Sequence, residues 1–127
     1  MGLDQYAYKI DAELVDQDCE TDFEGVNPKK WEMFHDWRKH ANLQGWMEQL
    51  YQDKGGYKTC FNCVKVKLSF TDLEKLKEDV LANKLPNTTG FFFGESTADD
   101  MLSDLEFIKN AKELIKEGHV IAYDSWW

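Results

Sequence analysis

Aromatic side chains are the feature that most constrains how this sequence folds. Five Trp, eight Phe and five Tyr occur among 127 residues, and a chain of this length buries roughly two-thirds of the surface that its unfolded form exposes. Most of these rings must lie in a packed interior, which excludes a disordered, charge-dominated chain. One core suffices at this size, so we predict a single domain over residues 1–127.

The charge balance limits the partners of the chain. It has 15 basic and 24 acidic residues, a net charge of −9, so we expect no direct binding to a nucleic-acid backbone. An acidic face that imitates DNA toward a basic protein stays an alternative to a merely solvated surface. The sequence shows neither a signal-peptide pattern nor a membrane-spanning run, which predicts a cytoplasmic protein without a membrane partner.

Two helices are predicted in the first half of the chain. Asn27-Pro28 is a helix-start signal, and the residues that follow it on one helical face are Trp31, Phe34, Trp37 and Ala41. A second apolar set falls on the opposite side of a continuous helix, which predicts a break over residues 40–42. That set is Leu43, Trp46, Met47, Leu50 and Tyr51, and Lys54-Gly55-Gly56 ends the second helix.

Two further helices are predicted in the second half. Thr71 to Glu74 form a capping box that opens one helix, which stops before Leu85-Pro86. Its inward residues are Leu73, Leu76 and Val80. Residues 97–100 cap the other helix, which ends at Gly118. Its predicted inner stripe is Met101, Leu105, Ile108, Ala111 and Ile115.

Alternating or short apolar runs predict four strands, over residues 3–10, 60–70, 91–93 and 120–127. The acidic stretch 11–25 has no period and is interpreted as an excursion. Trp126 shares strand parity with Val120 and should face the core, whereas Trp127 is expected at the surface. The predicted class is α+β, with one sheet of about four strands covered by helices in the order β-α-α-β-α-β-α-β.

Four blocks along the chain resemble a family of small uncharacterised bacteriophage-encoded proteins. They are Met-Gly-Leu-Asp-Gln-Tyr at residues 1–6, Trp-Arg-Lys-His-Ala-Asn-Leu-Gln-Gly-Trp-Met at 37–47, Leu-Pro-Asn-Thr-Thr-Gly-Phe-Phe-Phe-Gly at 85–94 and Asp-Ser-Trp-Trp at 124–127. The family often has Pro where this chain has Ala41, and Pro there would suit a helix break. The resemblance implies a phage gene product that acts inside an infected bacterium.

The best candidate site is the break between the first two helices. Cationic side chains next to free backbone amides at a helix start would form an anion site, with indole rings available for stacking. The candidate residues are Trp37, Arg38, Lys39, His40, Asn42 and Trp46. The alternative is structural: Arg38 would pair with Glu95, Asp99 or Asp100, and both tryptophans would belong to the core.

Motifs for other chemistry are weak. Cys60 and Cys63 have the spacing of half a zinc site but lack a second half, so with Cys19 they are predicted to be buried free thiols, and we expect no metal and no cofactor. Asp99, Asp100 and Asp104 could hold a cation with Glu95, although first-turn acids usually complement the helix dipole. No nucleophile elbow, phosphate loop or metalloprotease motif is present, which argues against a familiar enzyme.

Two functional hypotheses follow. The first is a non-catalytic interaction module that binds a host or phage protein through its acidic surface and exposed aromatic rings. The second is a protein, conceivably an unfamiliar enzyme, that binds a small anion or nucleotide-like ligand at the Arg38-Lys39-His40 junction.

Overall fold

An antiparallel sheet organises the chain. The computed structural model describes residues 2–90 and 93–127. Within them the strands are β1 (Asp4–Asp11), β2 (Glu32–Arg38), β3 (Val66–Leu68) and β4 (His119–Trp126), and the helices are α1 (Ala41–Asp53), α2 (Phe70–Leu81) and α3 (Ala98–Lys116). The four strands lie in the order β2-β1-β4-β3, each antiparallel to its neighbours. The predicted α+β class with one four-stranded sheet and covering helices is confirmed.

The predicted first helix is wrong, because residues 32–38 form strand β2. Asn27 does start a helical turn, since its Oδ1 accepts a hydrogen bond from the Lys29 N–H at 3.0 Å, but this 3-10 turn ends at Lys30. β2 pairs with β1 through a register shift between Ala7 and Tyr8. The extra residue lets Phe34 and Trp37 both contact Phe107, so a bulged strand reproduces the three-residue spacing of a helix face.

Two of the predicted strands also differ from the structure. The segment 60–70 forms a strand only at Val66–Leu68, and residues 60–65 before it form a loop. The strand ends at Leu68 because α2 starts early: the Ser69 hydroxyl accepts the Asp72 N–H, which places the capping box two residues before the predicted one. For the predicted strand 91–93, Phe91 and Phe92 lie outside the described residues, and Phe93 lies in a turn.

The other helices follow the sequence pattern closely. α1 begins at Ala41, where a helix was predicted after the break, and ends before Gly55. Its buried residues include Leu43, Met47 and Tyr51, and those of α2 are Leu73, Leu76 and Val80. α3 has the predicted Thr97 capping box with Asp100, but its inner face is rotated. It buries Asp104 and Phe107 beside Trp37, whereas Met101 is 37% exposed.

The sheet divides the interior into two clusters. On the first face, the helices pack over residues such as Ala7, Ile121 and Tyr123. On the second face, Phe23 and Trp31 from the acidic excursion and its continuation cover Ile10, Val120 and Ala122. The expected single continuous interior is thus two clusters, because a sheet covered on both sides separates the side chains of alternating residues.

Beyond the second cluster, the second face carries exposed and half-buried side chains, and we call this part the open sheet face. Directly opposed residues of antiparallel strands share a face; here Asp4 opposes Arg38 and Trp126, and Tyr6 opposes Asp36 and Asp124. Trp126 is 63% exposed, so its predicted core position is wrong. It has the predicted parity, but the covering cluster reaches only to the Val120 end of β4.

Trp127 was expected at the surface, and the structure differs here too. Its Nε1–H donates to the Phe61 carbonyl at 2.8 Å, and its ring packs edge-on against Phe93 at 5.2 Å. It is therefore partly buried rather than free at the surface.

An ion pair joins the end of α1 to the start of α2. Lys54 Nζ lies 2.6 Å from Asp72 Oδ2, with 12% and 19% of the two side chains exposed. Burial raises the pKa of Asp72, but the bonds from Lys54 and from the Ser69 amide outweigh it, so the net pKa lies below its usual value. A carboxyl with a lowered folded-state pKa stabilises the fold above its unfolded pKa and loses that contribution as the pH falls.

We therefore expect Lys54→Met to lower the free energy of unfolding by about 1–2 kcal/mol at neutral pH, a figure reduced for partial solvent screening. The difference from wild type should shrink as the pH falls below about 3.9, the usual pKa of Asp, and through the lower folded-state pKa of Asp72. Urea unfolding at pH ~7 and ~3 measures both effects. An equal difference at the two pH values would contradict the assignment.

Candidate functional site

A cavity of about 510 Å³ opens where β2 turns into α1. Its walls come from three helix ends: His40 and Asn42 before and within α1, Val80 near the end of α2, and Asp100 and Asp104 at the start of α3. Ser96 and Thr97, which precede α3, complete the rim. The cavity is thus assembled from segments far apart in sequence.

The backbone of His40 is held by a buried glutamine. The Gln5 Nε2–H donates to the His40 carbonyl at 2.9 Å, and the His40 N–H donates to Gln5 Oε1 at 2.9 Å. The same Nε2 donates to the Tyr123 hydroxyl, which in turn donates to Gln44. Gln5 is fully buried, so this network fixes the start of α1 on β1 and β4.

The His40 ring is held by an aspartate. His40 Nε2 lies 2.8 Å from Asp104 Oδ2, and the Trp37 Nε1–H donates to Asp104 Oδ1 at 3.0 Å. His40 is 2% exposed and Asp104 1%. Because an ionised carboxylate only accepts hydrogen bonds, we assign a ring hydrogen to Nε2; in the neutral imidazole, Nδ1 is then the acceptor.

A serine completes the cluster. Ser96 Oγ lies 2.6 Å from His40 Nδ1, and the Asn42 N–H donates to the same oxygen at 3.0 Å. Asn42 is itself fixed, because its Oδ1 accepts the Thr88 N–H at 3.0 Å. Ser96, His40 and Asp104 therefore form a continuous chain of hydrogen bonds that ends at the cavity.

The six predicted site residues separate into two groups. Trp37, His40 and Asn42 meet around Ser96 and Asp104. The other three lie apart: Arg38 pairs with Asp4 at 3.5 Å on the second face, Lys39 is exposed with φ +58°, and Trp46 donates to Asp79 at 2.9 Å.

This arrangement favours an anion less than the sequence suggested. The backbone N–H of Asn42 already donates to Ser96 Oγ and is not free for an anion. Two carboxylates also lie beside the His40 ring: Asp104 at Nε2, and Asp100 at 3.6 Å from Nδ1. Arg38 has none of the partners considered for it, since its carboxylate is Asp4. Gln5 and Ser96 were not predicted as site residues, and Asp104 was considered only as a cation ligand, because the three lie 35, 56 and 64 positions from His40 and no local motif joins them to it.

The cysteines are placed differently from expectation. Cys60 and Cys63 are exposed free thiols in the loop before β3, and only Cys19 is partly buried. The prediction of buried thiols is wrong for this pair because the segment is a loop and not a strand. Among residues 2–90 and 93–127, no group of three or more His, Cys, Asp or Glu is arranged to hold a metal ion.

The open sheet face is the second candidate site. Burial raises the pKa of Tyr6, and the charges of Asp4, Asp124 and Asp36 raise it further, whereas Arg38 lowers it. Burial also raises the pKa of Asp124 despite Lys65, whose Nζ lies 3.3 Å away. The face carries the carboxylates of Asp4, Asp36 and Asp124 against the two cations Arg38 and Lys65, so its net charge is negative and favours a cation.

The face adjoins an open sheet edge. The outer edge of β3 is covered, because Asp22 N–H donates to the Lys65 carbonyl and Lys67 N–H donates to the Glu20 carbonyl, both at 2.8 Å. In the described part of the chain, β2 pairs with β1 alone. An unpaired edge strand can accept an extended segment of another chain.

Comparison with models of protein families, with curated proteins and with solved structures finds no match to this chain. None of the described helices has the length and apolar character needed to cross a membrane.

Proposed function

We propose that this chain is a phage-encoded interaction module that binds a host or phage protein in the cytoplasm of the infected cell. Binding of this kind needs no catalytic step. The observation that carries the proposal is Trp126: it is 63% exposed, at the end of a strand in which Val120 to Tyr123 are at most 5% exposed. Tryptophan is one of the three residue types enriched among the energetic hot spots of protein interfaces.

The partner is inferred from the chemistry of the open sheet face. The ring of Trp126 lies in the same row as Asp4 and Arg38, and carboxylates flank Tyr6 in the next row. A Lys or Arg side chain would find both an aromatic surface and a negative field there. We therefore propose a basic segment of a protein as the occupant, in line with the net charge of −9.

Trp126→Ala is expected to weaken partner binding about thirtyfold or more, because truncating a hot-spot residue of an interface costs about 2 kcal/mol or more. Since Trp126 is mostly exposed, its removal should leave the free energy of unfolding nearly unchanged. Tagged wild-type and variant proteins are incubated with infected-cell lysate, and the amount of the stoichiometric partner that each one captures is compared. Titration with a Lys/Arg-rich peptide, followed through the Trp126 indole N–H resonance, tests the site directly.

Leu102→Ala is the matched control, because Leu102 is 72% exposed on α3 and lies outside the open sheet face. It should bind like wild type. Equal capture by wild type and Trp126→Ala, or a peptide that shifts α3 resonances instead of Trp126, would contradict the proposal.

A further inference from the structure

We propose that Ser96, His40 and Asp104 form a nucleophilic set that hydrolyses small neutral esters or thioesters through an acyl-Ser96 intermediate. This activity goes beyond the proposed binding function and uses a different part of the molecule. The set lies at the helix-end cavity on the first face, whereas Trp126 lies on the second.

The hydrogen-bond order is that of an activated nucleophile. A weak hydroxyl nucleophile requires an adjacent base, and the base requires a third group that fixes its tautomer. Here Ser96 Oγ is 2.6 Å from His40 Nδ1, and Asp104 Oδ2 is 2.8 Å from Nε2. With the ring hydrogen on Nε2, the Nδ1 lone pair faces the serine hydroxyl.

The surroundings keep this order rigid. Trp37 donates to the second oxygen of Asp104, and Gln5 holds both backbone polar groups of His40. The Asn42 N–H, in the first turn of α1, donates to Ser96 Oγ. This donor lies at the positive end of α1 and stabilises the negative charge that Ser96 Oγ gains as its proton passes to His40.

The cavity indicates the substrate class. Val80, Leu85 and Met101 supply apolar lining, and Asn42, Asn83 and Thr97 supply polar groups. Asp100 and Asp104 oppose an anionic substrate such as a phosphate ester. The volume of about 510 Å³ lies in the range of small-molecule sites, so a short neutral acyl group fits best.

The chemistry balances without a cofactor. Ser96 Oγ attacks the acyl carbon while its proton passes to His40 Nδ1, and the carbonyl electron pair moves onto oxygen. When that pair returns, the bond to the alkoxide or thiolate leaving group breaks, and the leaving group takes the proton from Nδ1. Water then attacks the acyl-Ser96 ester by the same sequence, which releases the acid and restores the hydroxyl.

Labelling with a fluorophosphonate probe tests the nucleophile. Wild-type protein should be modified at Ser96, as located by mass spectrometry, and should release nitrophenolate from p-nitrophenyl acetate. Ser96→Ala should lose both signals. Ser103→Ala is the matched control, because Ser103 Oγ also lies 2.9 Å from a histidine nitrogen, that of His35, and it should label and hydrolyse like wild type.

Asp104→Asn tests the residue that positions the base, His40, without removing a side chain. Its amide can still accept from Trp37 but would donate to His40 Nε2, which moves the ring hydrogen to Nδ1 and removes the acceptor for Ser96. The labelling rate should fall about a hundredfold while circular dichroism stays that of the wild type. Probe modification at another residue, or equal labelling of folded Ser96→Ala, would overturn the proposal and would leave the Trp126 binding test unaffected.

Discussion

Asp104→Ala is expected to lower the free energy of unfolding by about 4 kcal/mol, the largest effect of any single change considered for this chain. The carboxylate is 1% exposed and accepts from both Trp37 and His40. Truncation would leave two buried N–H groups without an acceptor and open a void between α3 and β2. Equilibrium urea unfolding followed by tryptophan fluorescence measures the loss.

Asp99→Ala provides the control for this change, because Asp99 is an exposed acid on the same helix. It should cost no more than the helix-dipole contribution, about 0.3–1 kcal/mol. A loss below about 1 kcal/mol for Asp104→Ala itself would show that solvent or rearrangement replaces its hydrogen bonds, and the assigned role of Asp104 would then be wrong.

Gln5→Leu is expected to lower the free energy of unfolding by about 3 kcal/mol. The two side chains are similar in size, so a change in packing volume does not explain this loss. The fully buried amide makes two bonds to the His40 backbone and one to the Tyr123 hydroxyl. Leucine would leave the His40 N–H without its acceptor at the start of α1. Urea unfolding measures the stability, and hydrogen exchange at the His40 amide should accelerate more than exchange in α2.

Gln52→Leu serves as the comparison for Gln5→Leu, because Gln52 is exposed near the end of α1. Its effect should lie within about 0.5 kcal/mol of zero. If both glutamine variants were equally stable, the pairing of Gln5 with His40 would contribute nothing to holding the helix.

The two proposed sites occupy opposite faces of one sheet, so variants of one site can be tested separately from variants of the other. His40 and Asp104 at the cavity are buried, and Gln5 and Tyr123 couple His40 to β1 and β4, so variants at these positions report on stability as well as activity. Trp126 is exposed, and its variant reports on binding alone. A loss of partner capture without a loss of stability is therefore specific to the open sheet face.

Local patterns in the sequence predicted the elements whose stabilising contacts are local. α3 begins at the predicted Thr97 cap and is followed by the predicted Gly118, which has φ +96°, because capping and chain reversal depend on neighbouring residues. The predicted inward residues of α2 are confirmed, because apolar residues at the 3.6-residue helical period mark the one side of a helix that is buried.

Elements that depend on distant partners could not be predicted in the same way. Residues 31–37 have aromatic spacing that suits a helix, but pairing with β1 and the bulge beside Ala7 make Glu32–Arg38 a strand. Trp126 has the predicted parity and yet is exposed, because the covering cluster ends before it. The His40 junction was found from its local signals, whereas its partners Gln5, Ser96 and Asp104 were brought to it only by the packing of β1 and α3. Sequence patterns specify which residues seek burial, and tertiary packing decides which distant side chains meet.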